Sequence, residues 1–177
     1  TENARARIAD TNGNNAEALL HYQRAAESNP KLESVWYQIG RLQLLLDQQE
    51  EAEQSLLRSI EQDPELTSAY VALASLYVEH FTDAEKAIDI LEKGLEVNEQ
   101  AADIMAEYAI VLTLSGEDLN EAESYLEQAE EIDPEMPLVM AARELFEAYK
   151  AEQRAAMKAK GVQRKKQKGK FKKSKRR

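Results

Sequence analysis

Apolar and polar positions alternate along this chain at helical spacing, and the helical pattern itself repeats at a longer interval. Three stretches make this plain: AEALLHYQRAAESNP from Ala16, EAEQSLLRSIEQDP from Glu51 and EAESYLEQAEEIDP from Glu121. Each places an alanine, a bulky residue four further on, a small residue at seven and a proline at twelve. Pro30 and Pro64 are 34 residues apart, and Pro64 and Pro134 are 70 apart, so one more unit fits between the last two. A period of this size marks a solenoid, whose units bury their apolar faces against neighbouring units. The pattern predicts paired helices over 3–10 and 15–28, 34–46 and 49–62, 68–80 and 83–97, and 102–115 and 120–132. Short connections make successive helices antiparallel neighbours. Gly13 and Gly116 fall in turns within units, where positive φ is expected. A ninth helix is predicted over 138–160, because Leu138, Ala142, Leu145, Phe146 and Tyr149 share one helical stripe and Arg143, Glu144, Glu147 and Lys150 fall outside it. Such a helix caps the last unit with one apolar and one polar face.

The repeated residues are similar to those of the tetratricopeptide repeat family. Trp36, Ile39, Gly40, Ala52, Leu56, Ser59 and Pro64 occupy that family's pattern positions. So do Tyr70, Leu73, Ala74, Tyr77, Ala87, Leu91 and Gly94, with Glu99 in place of proline. Met105, Tyr108, Ala109, Ala122, Leu126, Ala129 and Pro134 form the next set, and Ala18, Tyr22, Ala25 and Pro30 form a partial first one. The resemblance covers roughly residues 1–150. It implies an all-α, right-handed superhelical solenoid of about four helix pairs, organised as repeats over 1–136, a capping helix over 137–160 and a basic tail over 161–177. It also implies a concave face lined by the first helix of each unit. Mapped here, that lining is Asn3 and Arg7, then Tyr37, Arg41, Leu44 and Leu45, then Val71, Ser75, Val78 and Glu79, then Ala106, Ile110, Thr113 and Leu114. Apolar residues at lining positions suit a partner peptide or helix docking by its apolar side. The other reading is that the protein's own curvature or its ninth helix covers them. One subclass of the family grips a carboxylate terminus with Lys, Asn and Arg. Here its positions hold Asn3, Arg7, Gln38, Ser68 and Ala72, so the cationic set is missing.

Charge changes the picture at the C-terminus. The net charge of −10 is the sum of two opposed parts. Residues 1–149 carry nine Lys/Arg and 32 Asp/Glu, net −23; residues 150–177 carry 14 Lys/Arg and one Glu, net +13. The tail holds Arg164, Lys165, Lys166, Lys168, Lys170, Lys172, Lys173, Lys175, Arg176 and Arg177. With almost no apolar residues, it is expected to be disordered and to gain from a polyanion by counterion release. RNA, DNA or a ribonucleoprotein is one expected partner, an anionic membrane or an import receptor another, and the acidic body itself a third. With Phe171 the tail's lone aromatic residue, base stacking and sequence readout are not expected.

Candidate chemistry adds little. There is no cysteine, so no thiolate site and no disulfide. His21 and His80 have no partners at metal-ligand spacing. Adjacent acidic pairs such as Glu50–Glu51 point away from each other on a helix and read as solvated face. No phosphate-cradling glycine loop and no serine nucleophile motif occurs. No cofactor and no catalysis are therefore expected. No apolar run reaches the length of a membrane span, and the expected location is cytoplasmic, or nuclear in a eukaryote. The sequence points to a non-catalytic interaction scaffold or adaptor; the alternative is a nucleic-acid-associated factor anchored by its tail.

Overall fold

The computed structural model describes residues 1–32, 34–116 and 118–174, with side chains described as far as Lys160. Its elements are α1 (Glu2–Thr11), α2 (Asn15–Ser28), α3 (Val35–Leu45), α4 (Gln49–Gln62), α5 (Thr67–Glu79), α6 (Ala84–Val97), α7 (Ala102–Ser115), α8 (Leu119–Ile132) and α9 (Pro137–Ser174). There is no strand among the described residues. All four predicted helix pairs are present, and their bounds differ from expectation by a residue or two.

Two kinds of turn join the helices, and each recurs with the repeat. Between units, the side chains of Asn29, Asp63, Asn98 and Asp133 each accept a hydrogen bond from the backbone N–H two residues on, all at 3.2 Å. This side-chain turn holds the corner itself. It explains how the third unit keeps its geometry with Glu99 where the others have proline. Within units, the chain takes a positive φ at Gly13 (74°), Asp47 (56°), Thr82 (54°) and Gly116 (71°). The two glycines meet expectation; Asp47 and Thr82 occupy the same left-handed position without glycine's freedom. N-caps follow the polar sequence. Asp83 accepts from the N–H of Lys86, and Asp118 accepts from those of Asn120 and Glu121.

The first helices, α3, α5 and α7, form an inner layer, and α4, α6 and α8 an outer one. The layers approach closely where small residues face large ones. A Cβ on Gly40 would lie 2.8 Å from Leu56 Cγ, so α3 and α4 touch at a distance only glycine allows without a shift. Outer helices bury one stripe each, such as Ala52, Leu56 and Ser59 on α4. Inner tyrosines reach across to outer carboxylates: the Tyr77 hydroxyl donates to Glu53 at 2.9 Å and that of Tyr108 to Glu92 at 3.1 Å.

The interior has two apolar cores. One gathers Ala6, Ala18, Leu19, Tyr22, Ile39 and Leu42 from α1–α3. The other runs from Leu56 through Leu73, Leu91, Ile104 and Leu126 to Val139 and Phe146. They meet at α3 and α4, where Gly40 lies against Leu56 and Tyr37 and Leu44 rest on the larger core, and polar contacts line the same seam. The buried Ser55 Oγ donates to Gln43 Oε1 at 2.6 Å, and the Arg58 guanidinium stacks 3.9 Å above the Trp36 ring. Trp36 Nε1 also donates to the Pro30 carbonyl at 3.0 Å, so this expected core residue is half-buried and holds the edge of the seam.

The capping helix differs from expectation in length. It was expected to stop near residue 160, followed by disorder over 161–177; instead α9 carries helical backbone to Ser174. Lysine, arginine, glutamine and alanine are strong helix formers, and no proline interrupts them; Gly161 and Gly169 each cost about 1 kcal/mol, which a long helix absorbs. Residues 175–177 lie outside the described residues.

Candidate peptide-binding face

Inner helices are flanked on one side by the outer layer, and their other side forms the candidate face. On α3, Tyr37, Arg41 and Leu44 are half-buried and Leu45 is 56% exposed. On α5, Val71, Ser75 and Val78 are half-buried and Glu79 is exposed. On α7, Ile110 is half-buried and Leu114 is 53% exposed. Tyr37, Leu44, Val71, Val78 and Ile110 all rest against the larger core. Most of the predicted lining residues of α3, α5 and α7 are thus half-buried or exposed. Asn3 is half-buried and Arg7 exposed on α1, at the far end of the same layer.

Two lining residues leave the set. Ala106 is 0% exposed and Thr113 is buried, with its hydroxyl donating to the Ala109 carbonyl. The cause is the packing around α7. α7 packs against both α5 and α9, whereas α3 has no comparable contact with α5. The stack is therefore closed around α7 and open between α3 and α5. The capping helix is locked in place by Arg143, whose Nε and Nη2 donate to both oxygens of Glu130 at 2.7 and 2.6 Å, and by Lys150 Nζ on Glu123 at 2.9 Å. The Arg143 hydrogen bond holds the Glu130 carboxyl below its ordinary pKa.

Charges on the face are few and mostly spoken for. Arg41 pairs with Asp10 of α1. Ser75 Oγ donates to Glu107 Oε1 at 2.6 Å, and Thr67 Oγ1 donates to Asp103 Oδ2 at 2.6 Å. Glu107 is only 5% exposed, and burial raises its pKa; the Ser75 hydrogen bond pulls the other way and the Glu79 charge adds to the rise. Sequence reading missed Glu107 as a face residue. Its signal was a carboxylate inside an otherwise apolar helix, 32 residues after a serine at a lining position.

Other features lie off the face. A cleft of about 600 Å³ opens where the α2–α3 loop meets α4, lined by Lys31, Ser34, Trp36, Gln62 and Asp63 among others. His21 Nδ1 sits 2.7 Å from Glu2, and His80 is exposed beside Gln49. No group of metal-ligating residues is found among the described residues, and none of their helices is long and apolar enough to cross a membrane. The tail residues Arg164, Lys165, Lys166, Lys168, Lys170, Lys172 and Lys173 lie on the helical backbone of α9, beyond the described side chains. Lys175, Arg176 and Arg177 lie outside the described residues.

Comparison with known proteins agrees with this geometry. The model of the tetratricopeptide repeat matches residues 33–66, 67–100 and 114–136. Among solved structures, the chain is similar to a tetratricopeptide repeat protein of Thermus thermophilus, with a TM-score of 0.68 and 24% identity over 84% of this chain and 82% of that one. It is also similar to MamA, with a TM-score of 0.67 and 20% identity over 89% and 85%. YrrB, described as a repeat protein with an unusual peptide-binding site, aligns with a TM-score of 0.61 and 17% identity over 90% of each chain. No curated protein matches significantly by sequence.

Proposed function

Because the chain belongs to the tetratricopeptide repeat family, we propose that it is a non-catalytic interaction scaffold that takes a partner peptide or helix on the inner face of α3, α5 and α7. One observation carries this reading. Leu45 and Leu114 are large, apolar and more than half exposed on a face that already includes Tyr37, Leu44, Val71, Val78 and Ile110. Burial in the chain's own core does not account for them, and large apolar residues left exposed in this way favour an interaction site. A helix-in-groove or extended-peptide mode suits it, with two or three apolar anchors supplying most of the affinity. The peptide-binding site named for YrrB supports the same use of the fold.

The experiment is a selection of binding peptides from a random library on the full chain, followed by affinity measurement against Leu45→Lys with Leu114→Lys. Selected peptides are expected to carry apolar anchors and to lose about tenfold or more in affinity. Peptides that bind both proteins equally overturn the reading.

In the same reading, the Lys/Arg-rich tail contacts a polyanion. Fourteen Lys/Arg against one carboxylate over residues 150–177 also favour a second reading, a nucleic-acid- or ribonucleoprotein-associated factor anchored by that tail. Titration with RNA and DNA at several salt concentrations separates the two, since phosphate contacts give an affinity that falls steeply with salt.

A further inference from the structure

Residues Ala151 through Lys160 are all exposed, so α9 has left the repeats by this point. Its last described tie to them is Lys150 Nζ on Glu123. From there the helix continues for 24 residues to Ser174, about 36 Å at ~1.5 Å per residue. A continuous helix cannot turn back on itself. The Lys/Arg-rich end is thereby carried away from the acidic repeats of its own chain. Beyond Lys150, which pairs with Glu123 of the same chain, the basic residues as far as Lys160 are exposed and stand clear of the −23 carried by residues 1–149.

We propose that the free end of α9, from Ala151 onward, docks on the inner face of a second copy of this chain. The proposal rests on the peptide-binding reading of that face and names its occupant. The face is complementary in charge. On α5 it offers the exposed carboxylate Glu79, while its cation, Arg41, is already neutralised by Asp10. It is also complementary in shape. Ala151, Ala155 and Ala159 recur every four residues on one side of the incoming helix, with Arg154 and Lys158 on its flank. Small side chains let that helix lie close against Leu45 and Leu114, and the basic flank meets Glu79. The two surfaces are different, so each docking leaves one free tail and one free face. Such a heterologous contact propagates head to tail rather than closing on a dimer.

Sedimentation velocity of the full chain at about 0.1 M and about 1 M salt reads the proposal directly, because the Debye length falls between them from about 10 Å to about 3 Å. At the lower salt the sedimentation coefficient is expected to rise with protein concentration, and at the higher salt to fall back to that of a monomer. Two full-length variants separate donor from acceptor. Lys158→Gln, Lys160→Gln, Arg164→Gln and Lys165→Gln blunt the tail and keep good helix formers. Leu45→Lys with Glu79→Lys blunts the face at exposed positions. Each variant alone is expected to lose about tenfold or more in self-association, and a mixture of the two is expected to give a species of one copy of each. A full chain that stays monomeric at low salt, or variants that assemble like the parent chain, overturns the proposal. Monomers that instead shift on adding RNA or DNA overturn it in favour of a nucleic-acid partner. If library-selected peptides bind the face while the chain stays monomeric, the occupant is wrong and the peptide-binding reading stands; if neither binds, both fall.

Discussion

The inner and outer helix layers are built from the same repeat and differ sharply in charge. Helices α3, α5 and α7 together carry one cation, Arg41, against three carboxylates, net −2. Helices α4, α6 and α8 carry three cations against thirteen carboxylates, net −10. An outer helix needs one apolar stripe and can afford charge everywhere else, as α4, α6 and α8 do. An inner helix is apolar nearly all round. For α7 the reason is burial, because α5, α6, α8 and α9 enclose it. For α3 and α5 the enclosure is less complete: Leu45 is exposed and Val78 half-buried. The comparison therefore separates apolar residues buried by folding from those that stay exposed, such as Leu45. It also shows that the acidity of the repeats belongs mainly to the outer surface.

The sharpest way to test this division is to shorten leucines in both layers. Leu56→Ala on α4 removes a side chain that is 0% exposed and fills the gap opposite Gly40. It is expected to cost about 2–5 kcal/mol in urea unfolding. Leu45→Ala on α3 is expected to stay within about 0.5 kcal/mol, while weakening peptide binding. Equal costs would erase the distinction between folding and docking residues.

Next in size are the turns that link the layers. Thr82 is a β-branched residue at a φ of 54°, where left-handed backbone costs an L-residue about 1–2 kcal/mol. Thr82→Gly is expected to raise stability by about 1 kcal/mol or less, after glycine's extra chain entropy is subtracted. A drop in the unfolding midpoint would mean that the Thr82 side chain holds the turn.

A smaller effect should follow from Glu107. Burial raises its folded pKa above its unfolded value, so the native state binds the extra proton between the two. Stability contributed by this group is therefore greatest below the ordinary glutamate range and falls as pH rises through the folded pKa. Glu107→Gln keeps an acceptor for Ser75. It is expected to raise the melting temperature at neutral pH and to show no advantage once pH drops below the ordinary glutamate range. An advantage that persists at acid pH would put its origin in packing instead. The smallest effect is expected on the outer surface, where Glu50→Gln with Glu51→Gln should change stability by less than about 0.5 kcal/mol.

Much of the fold was legible because each unit repeats the same instructions. Alanine, a bulky residue, a small residue and proline recur at fixed offsets, so Leu56, Leu91 and Leu126 could be placed in the interior from spacing alone. What escaped the sequence depends on neighbours rather than on pattern. Ala106 and Thr113 sit at lining positions, and the packing of α5, α6, α8 and α9 around α7 encloses them. Asp47 and Thr82 adopt the conformation of Gly13 and Gly116 because the turn demands it, with no residue type to announce it. Asn29, Asp63, Asn98 and Asp133 recur with the repeat, but their corner-forming role shows only in the hydrogen bonds they accept. Of the candidate face, the apolar members were legible; the buried Ser75–Glu107 pair was not, because its partners lie on different helices.

The seam between the two apolar cores bears on cooperativity. A solenoid melts as one unit only when the coupling between neighbouring repeats exceeds the spread of their separate stabilities. Here the link between α1–α3 and α4–α9 is apolar as well as polar: Gly40 lies against Leu56, and Gln43–Ser55 and the Arg58–Trp36 stack add to it. The two blocks are therefore expected to unfold together, with equal calorimetric and van't Hoff enthalpies. Tyr37 and Leu44 belong to α3 yet rest on the larger core. Anything bound across them spans both blocks, so occupancy of the face would be read out as a higher midpoint of one shared heat-absorption peak.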